Sequence, residues 1–282
     1  VSLRSVVGKD VTSVRRSRAL WGVATVLALL AGLVVYSKVG FGVGPQREAQ
    51  DAYGLLVGVI GVLLPAVALV ASYMSIAVEP ESGGIKFLLA FPNTRRDVFV
   101  GKLLSRLAVV TVGLGFMFLA ATSIIAAKYG TVPFGVAIGV FAVSLLYCWV
   151  FVALAVAFSA SVASRSQAVA AAVGSYFILV ILNTIFGFSR VVSLVHDTVL
   201  GMEPNPHLYD AVDYLSPYTA YQKAIHLVLP EEIQRPVFRR SLEASSDLPT
   251  YLTDEFALVV FAAWLAIPLL LGYLRFERSD LQ

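Results

Sequence analysis

Six stretches of this chain contain no Asp, Glu, Lys or Arg: residues 19–37, 52–78, 107–127, 129–164, 166–189 and 256–274. Each reaches the roughly 18 apolar residues that a helix rising about 1.5 Å per residue needs to cross a hydrocarbon core about 30 Å thick. Inside lipid the backbone has no water to bond, so it must close its hydrogen bonds in helices or in a barrel. Barrel strands alternate polar and apolar side chains, whereas residues 145–157 are apolar throughout, and this selects helices. The expected fold is all-α: a polytopic integral membrane protein with six transmembrane helices at about 20–37, 53–78, 105–127, 133–159, 167–188 and 256–274. The longest run reads as one tilted helix entered at Pro133, because no polar turn interrupts it.

Composition agrees with that reading. With 58% hydrophobic and 14% charged residues, the chain has too little polar surface to cover a soluble domain of 282 residues and too little charge for disorder. The N-terminus, the 79–106 segment, Arg165 and the C-terminal tail hold 13 of the 21 basic and 6 of the 18 acidic residues, leaving 8 basic and 12 acidic ones elsewhere. The positive-inside rule then places both termini in the cytoplasm, the chain in the cell membrane, and segment 190–255 outside. A net charge of +3 gives no reason to expect nucleic acid as a partner; membrane lipid is the expected surrounding. Cys148, the lone cysteine, excludes an intrachain disulfide and a cysteine-built metal site.

Arg15, Arg16 and Arg18 precede an apolar run longer than a signal-peptide core, so the first span reads as a signal anchor. Within residues 1–18, Leu3, Val6, Val7, Val11 and Val14 share one arc, which suits a cytoplasmic amphipathic segment on the inner leaflet. The external segment is broken by six prolines. Ser216-Pro217 has the form of an N-cap followed by proline at the first helical position, and Tyr218, Tyr221, Ile225 and Val228 recur at helical spacing. A short helix over 217–229 is expected, its aromatic stripe against the external membrane boundary or neighbouring loops. His196, His207 and His226 lack metal-ligand spacing and read as hydrogen-bonded or solvated side chains. Pairs such as Gly54 with Gly58 and Gly135 with Gly139 would allow close helix approach. Interior polar residues are mild (Ser72, Thr111, Ser144, Asn183, Thr184), which disfavours a proton- or ion-coupled transporter.

The segment between the second and third spans is the most specific. Glu79-Pro80-Glu81 suits a helix N-terminus, Pro92 stops that helix, and Thr94 with Asp97 forms a capping box for the next, which runs past Lys102 and Arg106 into the membrane. Lys102 and Arg106 are expected to snorkel to the inner headgroups. The order of an acidic residue, Gly83-Gly84, Leu88-Leu89, Pro92, Arg95 and Gly101-Lys102 resembles the loop between spans two and three of ABC-2 type permeases. It is most similar to the permease subgroup of the nitrous-oxide-reductase maturation transporter. Leu215-Ser216-Pro217 with Tyr221 extends the resemblance outside the last span, while Pro80 and Ser82 depart from it without disturbing the hairpin.

The resemblance implies a permease subunit of an ATP-driven transporter, an exporter, with the 79–97 hairpin docked on a separate ATPase chain. It implies that Glu79, Glu81, Gly83 and Arg95 serve coupling, with Gly101 and Lys102 at membrane re-entry. ABC ATPase subunits and a second permease copy, identical or homologous, are the implied partners. The chain has no G-x-x-x-x-G-K-[ST] loop, so ATP and Mg are expected on the partner, with no cofactor or metal on this chain and no catalytic residue. Two rival classes are a membrane-embedded enzyme, built on Cys148 or the external histidines, and a non-transporting scaffold for an extracytoplasmic maturation factor.

Overall fold

A computed structural model of the chain describes residues 18–38, 42–73, 75, 94–162, 164–234 and 249–278. Among those residues every regular element is helical. The long helices are α1 (Arg18–Ser37), α2 (Pro45–Ser72), α3 (Arg95–Tyr129), α4 (Phe134–Ser161), α5 (Arg165–Phe186) and α9 (Phe256–Arg278). Between the last two lie α6 (Phe188–Ser193), continued by a π-helical segment Leu194–Val199, then α7 (Pro206–Tyr214) and α8 (Pro217–His226). Helices α2, α3, α4, α5 and α9 are long and apolar enough to cross a membrane, and α1 adds a shorter apolar stretch, Thr25–Ser37. The expected amphipathic segment 1–18 lies, apart from Arg18 at the start of α1, outside the described residues.

Several helices outrun their apolar runs. Helix α2 starts at Pro45, with proline in its first turn and Gly44 at φ 105 before it, so Arg47, Glu48 and Asp51 are already helical. Helix α3 starts at the expected Thr94–Asp97 capping box, with the Thr94 side chain accepting from the Asp97 N–H and the Asp97 carboxylate accepting from the Thr94 N–H at 3.1 Å. Apolarity marks where lipid or protein replaces water, whereas caps decide where the backbone ladder begins.

Helix α4 is the axis of the bundle, packed by α2, α3, α5, α8 and α9. Of its apolar window 72% is buried, against 22–44% for the other four spans, and all eight residues from Val150 to Ala157 are buried. A helix apolar on every face is one that protein or lipid surrounds, and over most of α4 the surroundings are protein. Such a position leaves polar groups nowhere to turn but inward. Pro65 lies inside α2 and has no N–H for the carbonyl four residues back, that of Gly61. The Tyr147 hydroxyl of α4 donates to that carbonyl at 2.9 Å, and the Tyr176 hydroxyl of α5 donates to the next, on Val62, at 3.2 Å. The Tyr147 ring stacks on Tyr221 of α8, with centroids 4.3 Å apart and planes 14° from parallel. Tyr221 in turn shares a 3.1 Å hydrogen bond with Ser144.

Helix α8 has the expected cap, Ser216 accepting from the Tyr218 N–H. Its stripe turns into the bundle, where Tyr221 and Ile225 are buried. The reason is that Tyr147 offers an aromatic face and Ser144 a hydroxyl, partners that lipid cannot supply. Among the described glycines, the closest approach to another helix's backbone is at Gly272 of α9, where a Cβ would stand 2.7 Å from the Ala157 Cα. Of the glycine pairs expected to serve this purpose, Gly139 is covered by Val228 and Gly54 by Ile233, while Gly135 meets nothing.

Two outcomes are expected. Replacing Tyr147 by Phe leaves the Gly61 carbonyl unpaired and costs about 1–3 kcal/mol, and a Pro65→Ala background, which restores an N–H for that carbonyl, shrinks the loss. Additive losses in thermal unfolding of the purified protein would refute the link. Gly272→Val drives a branched side chain into α4 backbone and destabilises by about 1–3 kcal/mol or more, whereas Gly135→Val, facing open space, is expected to be tolerated in the same assay.

Candidate functional site

Of the residues singled out by sequence, Arg95, Gly101 and Lys102 lie in the first part of α3, at the end of the bundle where α9 finishes. Glu79, Glu81 and Gly83 lie outside the described residues. Arg95 is the first residue of α3, and its Nη1 donates to the carbonyls of Phe276 at 2.9 Å and Glu277 at 2.8 Å. These carbonyls belong to the last turn of α9, which has no following turn to bond them, and a guanidinium there also complements the negative end of the helix dipole. One turn on, Phe99 meets Tyr273 edge-on at 5.5 Å and Phe276 at 6.4 Å. The head of α3 and the foot of α9 are therefore held by a polar clasp with aromatic packing behind it.

Gly101 is buried on the same helix. Lys102 is only 6% exposed, so it does not reach outward as a snorkelling lysine would. Arg106 is also turned inward, its Nη1 donating at 3.2 Å to the Ala71 carbonyl in the last turn of α2. Snorkelling was expected because both cations sit at a membrane edge. The structure instead uses Arg106 to cap a neighbouring helix, a choice that depends on where α2 ends. Arg95, Gly101 and Lys102 thus share one helix with Arg106, and through Arg95 and Arg106 that helix holds the ends of α9 and α2.

The opposite end of the bundle carries polar structure that sequence reading passed over. A cavity of 350 Å³ lies between Gly54 and Gly58 of α2, the end of α5, and α8. Its walls include Asn183 and Thr184 of α5, Asp213 of α7, and Tyr218, Thr219 and Gln222 of α8. The π-helical segment Phe177–Leu182 immediately precedes Asn183, and Gly187 at φ 70 ends the helix just after it. Ser216 donates to the Leu179 carbonyl at 3.2 Å and Thr219 to the Asn183 Oδ1 at 3.3 Å, so α8 is stitched to this irregular turn. The signals in sequence were slight: Asn183 among the mild interior polar residues, and the Ser216-Pro217 cap.

His226 also lines the cavity, with its Nδ1 3.5 Å from an Asp254 oxygen, and Lys223 lies 3.2 Å from the other oxygen. Burial favours the neutral Asp254 acid, but His226 and Lys223 outweigh it and hold the carboxyl below its usual range. His196 bonds Tyr209 at 2.9 Å, and His207 is exposed. Cys148 is fully enclosed in α4. Among the described residues no three His, Cys, Asp or Glu side chains stand together as metal ligands.

Comparison with known proteins bears on the whole chain. Residues 4–281 match the family described as ABC-2 family transporter protein. The probable ABC transporter permease protein NosY of Stutzerimonas stutzeri is 27% identical over 284 residues, covering 97% of each chain. The protein of the same name from Pseudomonas aeruginosa is 29% identical over 188 residues, covering 63% of this chain and 66% of its own. With a match that runs nearly from end to end and helices built to cross a membrane, the chain is a multi-pass membrane protein belonging to the ABC-2 transporter family.

Proposed function

We propose that this chain is the permease subunit of an ATP-driven ABC-2 exporter, crossing the membrane six times with both termini in the cytoplasm. The match to the family over residues 4–281 carries this reading. In it, α1 is the first of the six spans, residues 1–18 rest on the inner leaflet, and segment 190–255 faces outward. A partner ATPase holds ATP and Mg and docks on the hairpin 79–97, with Glu79, Glu81, Gly83 and Arg95 at the contact and Gly101 and Lys102 where the chain re-enters the membrane. A second permease copy completes the pathway.

The clasp at Arg95 supports a mechanical role for the hairpin. The Thr94–Asp97 cap closes the hairpin, and Arg95 within it bonds the last carbonyls of α9. Arg106, farther along the same helix, bonds the end of α2. Displacement of the hairpin by ATPase closure would therefore be delivered to α3 and, through it, to α2 and α9. Helices α2 and α9 both pack on the central α4, so a shift at one end biases the packing of the bundle between two arrangements.

Reversing charge at both Glu79 and Glu81 to Lys is expected to lower permease-stimulated ATP hydrolysis at least about fivefold, the lower range of ordinary coupling free energies, while membrane insertion is kept. Unchanged co-purification with the ATPase and unchanged stimulation in the double variant would sink the docking assignment. Arg95→Ala removes the clasp without touching those carboxylates. It is expected to cut stimulated hydrolysis and to cost about 1–2 kcal/mol of thermal stability from the lost charged hydrogen bonds. Wild-type hydrolysis in a destabilised Arg95→Ala protein would mean that the clasp only braces the fold.

A further inference from the structure

We propose that the cavity between α2, the end of α5 and α8 binds a small ammonium group with an oxygen beside it, the ammonium against Asp213 and the oxygen on the Asn183 amide. Asn183 is 7% exposed and lines the cavity. Its Oδ1 is taken by Thr219, but its Nδ2 has no hydrogen-bond partner. A buried donor left open in this way calls for an acceptor from outside the chain.

Charge selects the rest of the ligand. One Asp213 oxygen accepts the Ser189 N–H at 2.8 Å, and among the described residues the carboxylate has no ion pair. The other acid nearby, Asp254, already faces Lys223 and His226. Asp213 is thus the carboxylate with charge to offer, and an anion in the cavity would meet repulsion. A bare metal ion fits poorly, because it carries no acceptor for the Asn183 N–H and the described residues hold no group of three ligating side chains. A ligand with a cation at one end and an oxygen at the other answers both open groups. Thr184, Tyr218 and Gln222 stand on the same walls for further hydrogen bonds, and 350 Å³ lies in the range of small-molecule sites.

Ammonium with a neighbouring oxygen occurs both in a free amino alcohol and in the ethanolamine headgroup of a phospholipid. Neither source depends on the ATPase coupling proposed above. The full chain in nanodiscs of phosphatidylglycerol alone, titrated with ethanolamine, should show saturable binding and a raised Tm. Ethylene glycol, of similar size and uncharged, should show neither. Asp213→Asn keeps an oxygen for the Ser189 N–H and should weaken ethanolamine binding roughly tenfold or more, the worth of one charge-assisted hydrogen bond.

In nanodiscs of phosphatidylethanolamine without added ethanolamine, a Tm gain over phosphatidylglycerol that vanishes in Asp213→Asn identifies the headgroup as the source. Binding of free ethanolamine alone identifies the soluble one. The proposal is overturned if ethylene glycol binds the wild-type chain as well as ethanolamine does, a comparison that needs no variant. It is equally overturned if neither free ethanolamine nor phosphatidylethanolamine separates wild type from Asp213→Asn.

Discussion

The bundle is organised around one hydroxyl. Pro65 interrupts the hydrogen-bond ladder of α2 in the middle of an apolar domain, where an open carbonyl has no water to turn to. Tyr147 closes that opening from the central helix, and the same ring stacks on Tyr221 of α8. A helix from the connecting segment is thereby drawn into the core, and its neighbours Ser216 and Thr219 reach the irregular turn of α5. At this point a single missing N–H and the group that compensates for it tie α2, α4 and α8 together.

The few charges in the chain do a related job at the helix ends. Lys128, near the C-terminus of α3, donates to the carbonyls of Val35, Tyr36 and Lys38 that α1 leaves open. At the same end Lys38 pairs with Asp51 at 2.9 Å, and Arg47 with Glu232 at 3.0 Å. At the other end Arg95 and Arg106 cap α9 and α2. Helix α3 therefore carries at both ends cations that bind the termini of other helices. An element fixed in that way suits a helix whose first turn closes the proposed docking hairpin.

Much of this was legible in advance because its causes are local. The Thr94–Asp97 box, the Ser216-Pro217 cap and Pro133 at the head of α4 are decided within a few residues, and those helices begin where the signals stand. Arg95 was singled out for a different reason, its place in a motif, and its contact with α9 could not be read from spacing because the partner lies far along the chain. The inward turn of Tyr221 escaped for the same reason. An aromatic stripe on a short helix looks alike whether it faces lipid headgroups or a tyrosine of another helix.

By itself the sequence determined that the chain must be helical and membrane-embedded, since uncharged runs of that length admit no other solution in lipid, and its motif pointed to the transporter family that the whole-chain match shows. Only the tertiary structure decided which helix lies at the centre, which cations cap which helices, and where polar groups are left open. Those outcomes rest on pairs such as Tyr147 with Gly61, Arg95 with Phe276, and Gly272 with Ala157. Each depends on the relative placement of two helices, and a hydrogen bond or a backbone contact that works over about 3 Å has no counterpart in the periodicity of either helix taken alone.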